Sequence, residues 1–396
     1  LGTTKGRVNE TKRLNGMKIL YIGHYKEFGG WSQAATDQIL ALDEAGVDLA
    51  CRNITLTSDK PNVHPRILEL EKKDSSNCDF CIQHVLPHHL VGTKGFKKNI
   101  AFLEAESFSI KSLSWFEYLQ QMDEIWVPNK TLLESLERDE VGVPLKLVHH
   151  ATDIKKYKKK YNEISIGSAD HTFKFYYVGD LNDRKNIGCI SSCFHSEFDK
   201  SEDVSLVIKV KKFGKTPEQT QSDLDRLLAH NKQALRLYQS IDDYKKEIVI
   251  SSDLSEEEIY SIHTYCDCFV LPSHGEAWSI PSLDAVGFGN TPICSDFGGP
   301  SEFIDREDEY TGHLVNGVFS CCKCSDAAFP DIFTGREYWF EPCEKTIREN
   351  MRKYYEEYKE DPIAYKKKTK AAGLSVVEKF SHKRIGERML EVLNES

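Results

Sequence analysis

Two acids, Glu276 and Asp284, stand eight residues apart inside the run Cys268 to Pro300, on either side of Ser279 and Pro281. Cys268 to Leu271 is a short apolar run of the kind that forms a buried parallel strand, so the Gly-containing Pro272 to Ala277 is the loop at its C-terminal end. Ser279 reads as a helix N-cap, and Pro281 falls in the first turn, where a missing N–H would have had no intrahelical partner. The spacing of Leu283, Ala285 and Val286 continues the helix, which stops near Gly287 to Gly289, and Thr291 to Cys294 is the next strand. Such a loop ends in bare backbone N–H groups at a positive helix end, so Ala277, Trp278, Ser279 and Ile280 can face a phosphate. Acids beside it accept hydrogen bonds from hydroxyls. Phosphate donors flanked by hydroxyl acceptors are what a nucleotide-sugar requires; an ordinary βα unit with solvated acids is the plainer alternative.

The elements that must hold this stretch are those of a chain of 396 residues, too long for one ordinary core and suited to two domains. With 40% hydrophobic and 29% charged residues it is globular in composition, and a net charge of −10 argues against duplex nucleic acid as a main partner. No apolar run reaches the length of a membrane-spanning helix. Residues 1–16 precede or abut Met17, are polar, and are expected to be a frayed extension without a signal-peptide core. The twelve cysteines are expected to be reduced. Cys189, Cys193, Cys268 and Cys294 fall on apolar positions. The group Cys321, Cys322, Cys324 and Cys343 lacks paired two-residue spacings, so no metal site is expected from it.

In the first half strands and helices alternate: Met17 to Gly23, then Trp31 to Ala45 at helical spacing, then strands at Asp48 to Ile54, Phe80 to His84, Asn99 to Leu103, Glu124 to Val127 and Leu145 to Val148. Helices are expected at Lys111 to Gln121 and Lys130 to Glu137. This alternation implies a parallel sheet covered on both faces. Gly29 and Gly30 follow the first strand and let backbone approach a ligand closely, although the dinucleotide spacing is absent. His84 ends a strand and so faces the crevice where such sheets bind ligands, with His88 and His89 as competitors. Lys94 to Lys98 and Lys155 to Lys160 interleave cations with aromatics; contact with an anionic membrane or a lipid diphosphate is one reading, a solvated surface the plainer one.

The second half opens with the strand Phe173 to Val178 and the turn Gly179-Asp-Leu-Asn-Asp-Arg184-Lys185-Asn186. Strands at Leu206 to Val210 and Ile248 to Ile250 follow, with a Ser255-capped helix beyond. Asn316 to Pro342 is an aromatic, cysteine-bearing insert, either a specificity loop or a packed excursion. Charged helices at Glu344 to Glu357 and Pro362 to Phe380 and an amphipathic one at His382 to Leu393 close the chain.

The segment Glu276-Ala-Trp-Ser-Ile-Pro281-Ser-Leu-Asp284-Ala285 resembles the donor loop of the retaining family-four glycosyltransferases, with Asp284 in place of a second Glu. His149-His-Ala-Thr-Asp153 resembles the family's crossing between domains. The resemblance implies a GT-B fold, two Rossmann-like parallel-sheet domains facing across a cleft: an acceptor domain over 17–165 completed by helix 382–396, and a nucleotide-sugar domain over 166–381. It implies that Glu276 meets the transferred sugar, Asp284 the ribose, His84 the region of the sugar, and Gly29 and Gly30 the donor phosphates and acceptor. Lys185 matches the family's phosphate lysine. Asp180 stands where an arginine is expected, which leaves Arg184 or Lys209 to supply the second cation. The implied activity is metal-independent, retaining hexosyl transfer without a cofactor, from a UDP- or GDP-linked donor rather than an ADP-linked one, to a glycan, lipid-linked or small-molecule hydroxyl, as in polysaccharide biosynthesis. A cytoplasmic chain, peripheral at most to a membrane face, is expected. A catalytically silent nucleotide-sugar-binding protein or a GT-B nucleotide-sugar epimerase is the alternative.

Overall fold

A computed structural model describes residues 16–56, 62–164, 166, 171–324 and 333–395. Residues 1–15 of the expected N-terminal extension and residues 325–332 of the insert lie outside the described residues. By its contacts the chain divides into two compact units, Leu1–Ala105 with Ser109–Ile154 and Glu378–Ser396, and Glu106–Phe108 with Lys155–Val377.

The first unit is a six-stranded parallel sheet in the order β2-β1-β3-β4-β5-β6. Its elements are β1 (Lys18–Gly23), α1 (Gly30–Glu44), β2 (Asp48–Asn53), α2 (Pro65–Glu71), β3 (Phe80–His84), β4 (Lys98–Phe102), α3 (Trp115–Leu119), β5 (Glu124–Val127), α4 (Lys130–Arg138) and β6 (Leu145–Leu147). The near-continuous burial of β3, β4 and β5 is what a parallel sheet covered on both faces requires. Helix α3 is much shorter than the expected Lys111 to Gln121. The Asp139 carboxylate accepts from the Ser109 hydroxyl at 2.8 Å and from the backbone N–H groups of Ile110 at 2.7 Å and Lys111 at 3.1 Å. Those donors are thereby drawn into a turn, and the helix starts only after them.

The second unit is again a six-stranded parallel sheet, in the order β12-β11-β10-β7-β8-β9. In chain order it runs β7 (Phe173–Asp180), α5 (Ile187–Glu197), β8 (Val204–Lys211), α6 (Pro217–Leu235), β9 (Ile248–Ile250), α7 (Glu256–Tyr265), β10 (Cys268–Leu271), α8 (Ile280–Phe288), β11 (Ile293–Ser295), α9 (Pro300–Phe303) and β12 (His313–Val315). An antiparallel ribbon of β13 (Gly317–Cys321) and β14 (Tyr338–Pro342) follows, then α10 (Glu344–Glu360) and α11 (Pro362–Glu378). Ser255 and Thr216 each close a capping box, at the starts of α7 and α6. The chain then returns to the first unit with α12 (His382–Glu395), which packs on α1.

Candidate active site

In the second unit two turns at the C-terminal ends of neighbouring strands are tied together by backbone. After β7, Asn182 accepts from Lys185 N at 3.1 Å and caps a single turn over Asp183–Lys185. The amide of Asn186, left-handed at φ 55°, donates to Pro272 O at 3.0 Å, and His274 N donates to Arg184 O at 2.8 Å. The turn after β7 therefore lies against the loop after β10, and Arg184 and Lys185 meet Glu276. Lys185 Nζ stands 2.7 and 2.9 Å from the two carboxylate oxygens, and Arg184 Nη1 donates to Oε1 at 3.0 Å and to Gly275 O at 2.6 Å. The other arm of Arg184 lies 3.4 Å from Glu106. Glu276 is 5% exposed. Burial pushes its carboxyl up, but Lys185 and then Arg184 outweigh that and hold it below the ordinary carboxylate range. Asp180 ends β7, and its charge helps keep the Arg184 guanidinium protonated against burial, after those of Glu106 and Glu276.

Close backbone approach fixes the loop. A Cβ on Gly275 would lie 2.0 Å from Glu106 O, and one on Gly299 2.2 Å from Trp278 Cα, while Gly299 N donates to Glu276 O at 2.9 Å. Ala277 and Trp278 are buried beneath this contact, the indole edge-on to Phe303. Ser279 occupies the expected N-cap position of α8, but its side chain does not cap the helix. It is left-handed, at φ 72°, and its hydroxyl pairs with Ser282 Oγ at 2.7 Å rather than with a backbone N–H of α8. The turn forced by the Gly298–Gly299 contact carries the side chain past the helix end. Ile280 opens α8, with Pro281 in its first turn.

Asp284 is 4% exposed, and its Oδ1 is 2.7 Å from Lys156 Nζ and accepts from the Tyr157 hydroxyl at 2.7 Å. Lys156 is itself 5% exposed, which corrects the reading of the run Lys155 to Lys160 as wholly solvated. Its ammonium lies over the rings of Tyr157 and Tyr260, as well as on Asp284. Lys209 lies buried in β8 and donates to Val210 O; burial lowers its pKa, with Asp253 and Asp180 opposing. No contact joins it to Glu276.

The insert reaches this loop. Phe340 N donates to His274 O at 3.0 Å, the His274 Nδ1–H to Phe340 O at 2.9 Å, and the imidazole stacks on Trp339 at 5.0 Å and 8°. Phe319 and Phe340 both pack on Phe297.

In the first unit, His84 at the end of β3 is 3% exposed and has both ring nitrogens engaged. Its Nε2 is 2.7 Å from Glu104 Oε1, and Tyr21 OH is 2.7 Å from Nδ1. His150 Nε2 approaches the same oxygen at 3.0 Å. Burial lowers the pKa of His84, opposed by Glu104; burial raises that of Glu104, but His150 and His84 carry it well below the ordinary range. Gly29 caps α1 at φ 103°, Gly30 opens it, and the Trp31 ring that follows stands 6.4 Å from that of His84. His88 and His89 lie in the turn after β3, His89 5.8 Å from His24.

By residue type, His84, Glu104 and His150 could hold a metal, their ligand atoms lying within 4.8 Å of one another. The hydrogen-bond polarity fits a closed network better. Gln38 Nε2 donates to His149 O at 3.0 Å and so presents an N–H, at 3.5 Å, to His150 Nδ1, which makes Nε2 the protonated nitrogen facing Glu104. A metal at Nε2 would need the opposite tautomer. Among the described residues the cysteines at 321, 322, 324 and 343 form no such group, and all are free thiols.

Glu104 and Glu106 were not singled out by the sequence, and Lys156 and Tyr157 were read only as part of the basic run Lys155 to Lys160. Glu104 and Glu106 carried a usable signal, lying just past a strand as His84 does; Lys156 and Tyr157 carried none that separated them from the lysines around them.

The two six-stranded parallel-sheet α/β units have the GT-B fold, which solved glycosyltransferase structures share. Sucrose-phosphate synthase from Thermosynechococcus elongatus aligns over 96% of this chain and 98% of that one at 14% identity and a TM-score of 0.63. Anabaena HepE in complex with UDP-glucose aligns over 96% and 100% at 12% identity and 0.64, and trehalose-6-phosphate synthase OtsA over 96% and 99% at 9% and 0.65. Residues 159–320 match the family model of glycosyl transferases group 1, a span that holds Arg184, Lys185, Glu276 and Asp284. No curated protein matches the chain in sequence.

Proposed function

We propose that the protein is a retaining, metal-independent glycosyltransferase that moves a hexosyl group from a nucleoside-diphosphate sugar to a hydroxyl of a glycan or small-molecule acceptor. The observation that carries this reading is the buried set of Arg184 and Lys185 on Glu276, in the loop before α8 and inside the matched span. Both cations pair with Glu276. A diphosphate supplies competing anionic oxygens, takes over Lys185 and Arg184, and frees the carboxylate to accept from hydroxyls of the sugar. Negative charge then grows on the leaving phosphate beside two fixed cations, which is how such a site lowers a barrier in place of a metal ion. The UDP-glucose held by HepE supports a uridine donor. In the basic stretch after Thr93, Lys97 pairs with Asp79 and Lys98 with Glu124, so that stretch offers an anionic surface little charge beyond Lys94, while Lys158, Lys159 and Lys160 stay exposed.

The test is a thermal-shift series with UDP, GDP and ADP, followed by hydrolysis assays on the corresponding sugars with and without excess chelator. Stabilisation by one diphosphate and hydrolysis that survives chelation are expected. Activity abolished by chelator and restored by magnesium or manganese overturns metal independence, and no stabilisation by any diphosphate overturns the reading itself.

A further inference from the structure

The cluster on Glu276 lies wholly in the second unit, and the first unit carries its own buried polar centre at the sheet end, where His84 is expected near the sugar. Glu104 lies just beyond β4 (Lys98–Phe102), at the edge where parallel α/β sheets bind ligands. Three side chains from the ends of β3, β4 and β6 converge there. Oε1 of Glu104 accepts from the Nε2–H of His84 at 2.7 Å, and His150 Nε2 stands 3.0 Å from the same oxygen. No described residue engages Oε2, and the side chain keeps 9% exposure, so one oxygen of a held carboxylate is open to a ligand. Tyr21 and Gln38 fix the two rings from behind, and Phe102 packs on both imidazoles, at 4.7 and 5.1 Å. Trp31, half-buried, stands beside His84 and stacks on His24. An anionic acceptor of hydrogen bonds, held by an imidazole that a half-buried indole adjoins, offers the two kinds of contact that recognise a sugar, whose hydroxyls donate while its C–H face lies on a ring.

We propose that Glu104 is a sugar-acceptor residue: its Oε2 accepts a hydrogen bond from a hydroxyl of a neutral sugar, with Trp31 as the apolar platform and His84 and His150 as positioning residues. As an acceptor site, rather than a sugar site alone, it rests on the glycosyltransferase reading above. It also revises the part expected of His84. With both nitrogens committed inside the protein, that ring orients Glu104 instead of meeting a sugar itself.

The probes are glucose, galactose, mannose and methyl α-glucoside, titrated into the full chain and followed by ligand-observed NMR, with UDP, GDP and ADP titrated in parallel. At least one sugar binds the wild type. Glu104→Gln, which keeps the shape but turns Oε2 into a donor, weakens it roughly tenfold or more, and leaves the affinity for the preferred diphosphate unchanged. Trp31→Ala, at a half-buried ring, weakens the same sugar and covers the case in which Glu104→Gln fails to fold. His150→Leu loses sugar affinity, and His150→Gln, which restores an N–H donor, recovers most of it; a purely structural role gives no such recovery at equal melting temperature. Sugar affinity unchanged in Glu104→Gln and in Trp31→Ala, or no binding of any of the four sugars to the wild type, overturns the proposal. Loss of sugar binding in these variants in a protein that binds no diphosphate leaves the sugar site standing and removes the glycosyltransferase reading instead.

Discussion

Glu276 holds its charge at 5% exposure because Lys185 and Arg184 face it directly, and the same contact makes it a competitor for their ligand. The two sides of that contact fail in opposite ways. Lys185→Ala removes a point charge from the phosphate and none from the base, so it weakens a nucleoside diphosphate by roughly tenfold to a hundredfold while the nucleoside is little affected; calorimetric titration of both ligands checks this, and equal weakening refutes it. In the proposed donor role Glu276 serves the sugar as its bond to phosphate breaks, so Glu276→Gln is expected to lower kcat by about a hundredfold. Because the variant no longer occupies the cations, its affinity for the free diphosphate is kept or raised. A Glu276→Gln protein that loses the diphosphate would show that the carboxylate serves nucleotide binding instead.

At the scale of elements, α8 was legible as strand–loop–helix from its apolar spacing, its Pro281 and the Gly289 that ends it in a left-handed cap. The alternation of strands and helices in both halves was equally legible, because burial on both faces leaves near-continuous apolar runs in β3, β5 and β10. What spacing could not give was the partner of Asp284. Lys156 reaches it from a turn far away in sequence, and nothing local separates Lys156 from its exposed neighbours Lys158, Lys159 and Lys160. The capping box Thr216-x-x-Gln219, by contrast, did announce α6, which the sequence reading left without a helix.

The Asp284–Lys156 pair changes what a substitution there does. Asp284→Asn leaves a buried ammonium without its counter-charge and destabilises the fold by about 3–5 kcal/mol, whereas a ribose contact alone would cost donor affinity and no stability. Adding Lys156→Met to Asp284→Asn removes the stranded charge and recovers most of the loss. Urea midpoints of the two singles and the double decide between these roles.

Helix α7, which packs against α8, carries a pH response. His263 stacks on Phe288, and Asn290 donates to the Tyr176 hydroxyl, which turns the hydroxyl proton toward His263 Nδ1 at 2.7 Å. Burial pushes the imidazole from its usual 6.5 down to about 4. Between those values the unfolded chain binds the proton and the folded one does not, so stability falls as pH drops from about 6.5 toward 4, by at most roughly 3 kcal/mol from this group. Glu276 and Glu104, both held low, add their own losses only below the ordinary carboxylate range. His263→Gln is therefore expected to flatten the upper part of a stability-against-pH curve and leave the lower part in place; an unchanged slope between pH 6.5 and 4.5 would remove His263 as the cause.

For the whole molecule, the path of the chain decides how its two cores respond to damage. The first unit is closed by residues from both ends of the sequence, since α12 returns to lie on α1. That packing is close. A Cβ on Gly386 would lie 2.2 Å from Ala41 O, and His382 meets Asp37 at 2.7 Å at the start of the helix. Gly386→Val drives a branched side chain into that backbone and destabilises the first unit by several kcal/mol, on the order of the overpacking penalties seen in cores. The second unit holds Arg184, Lys185 and Glu276 and contains no part of α12. Two cores in one chain need not melt together, and a ligand stabilises only the fold that binds it. Calorimetry of the wild type with and without a saturating diphosphate assigns the second unit's transition as the one that rises. In Gly386→Val the other transition falls, while the diphosphate still raises its own by the wild-type amount. A valine variant in which both transitions fall together, with the diphosphate raising neither alone, would mean that the units unfold as one cooperative body and that the return of α12 matters to the whole chain.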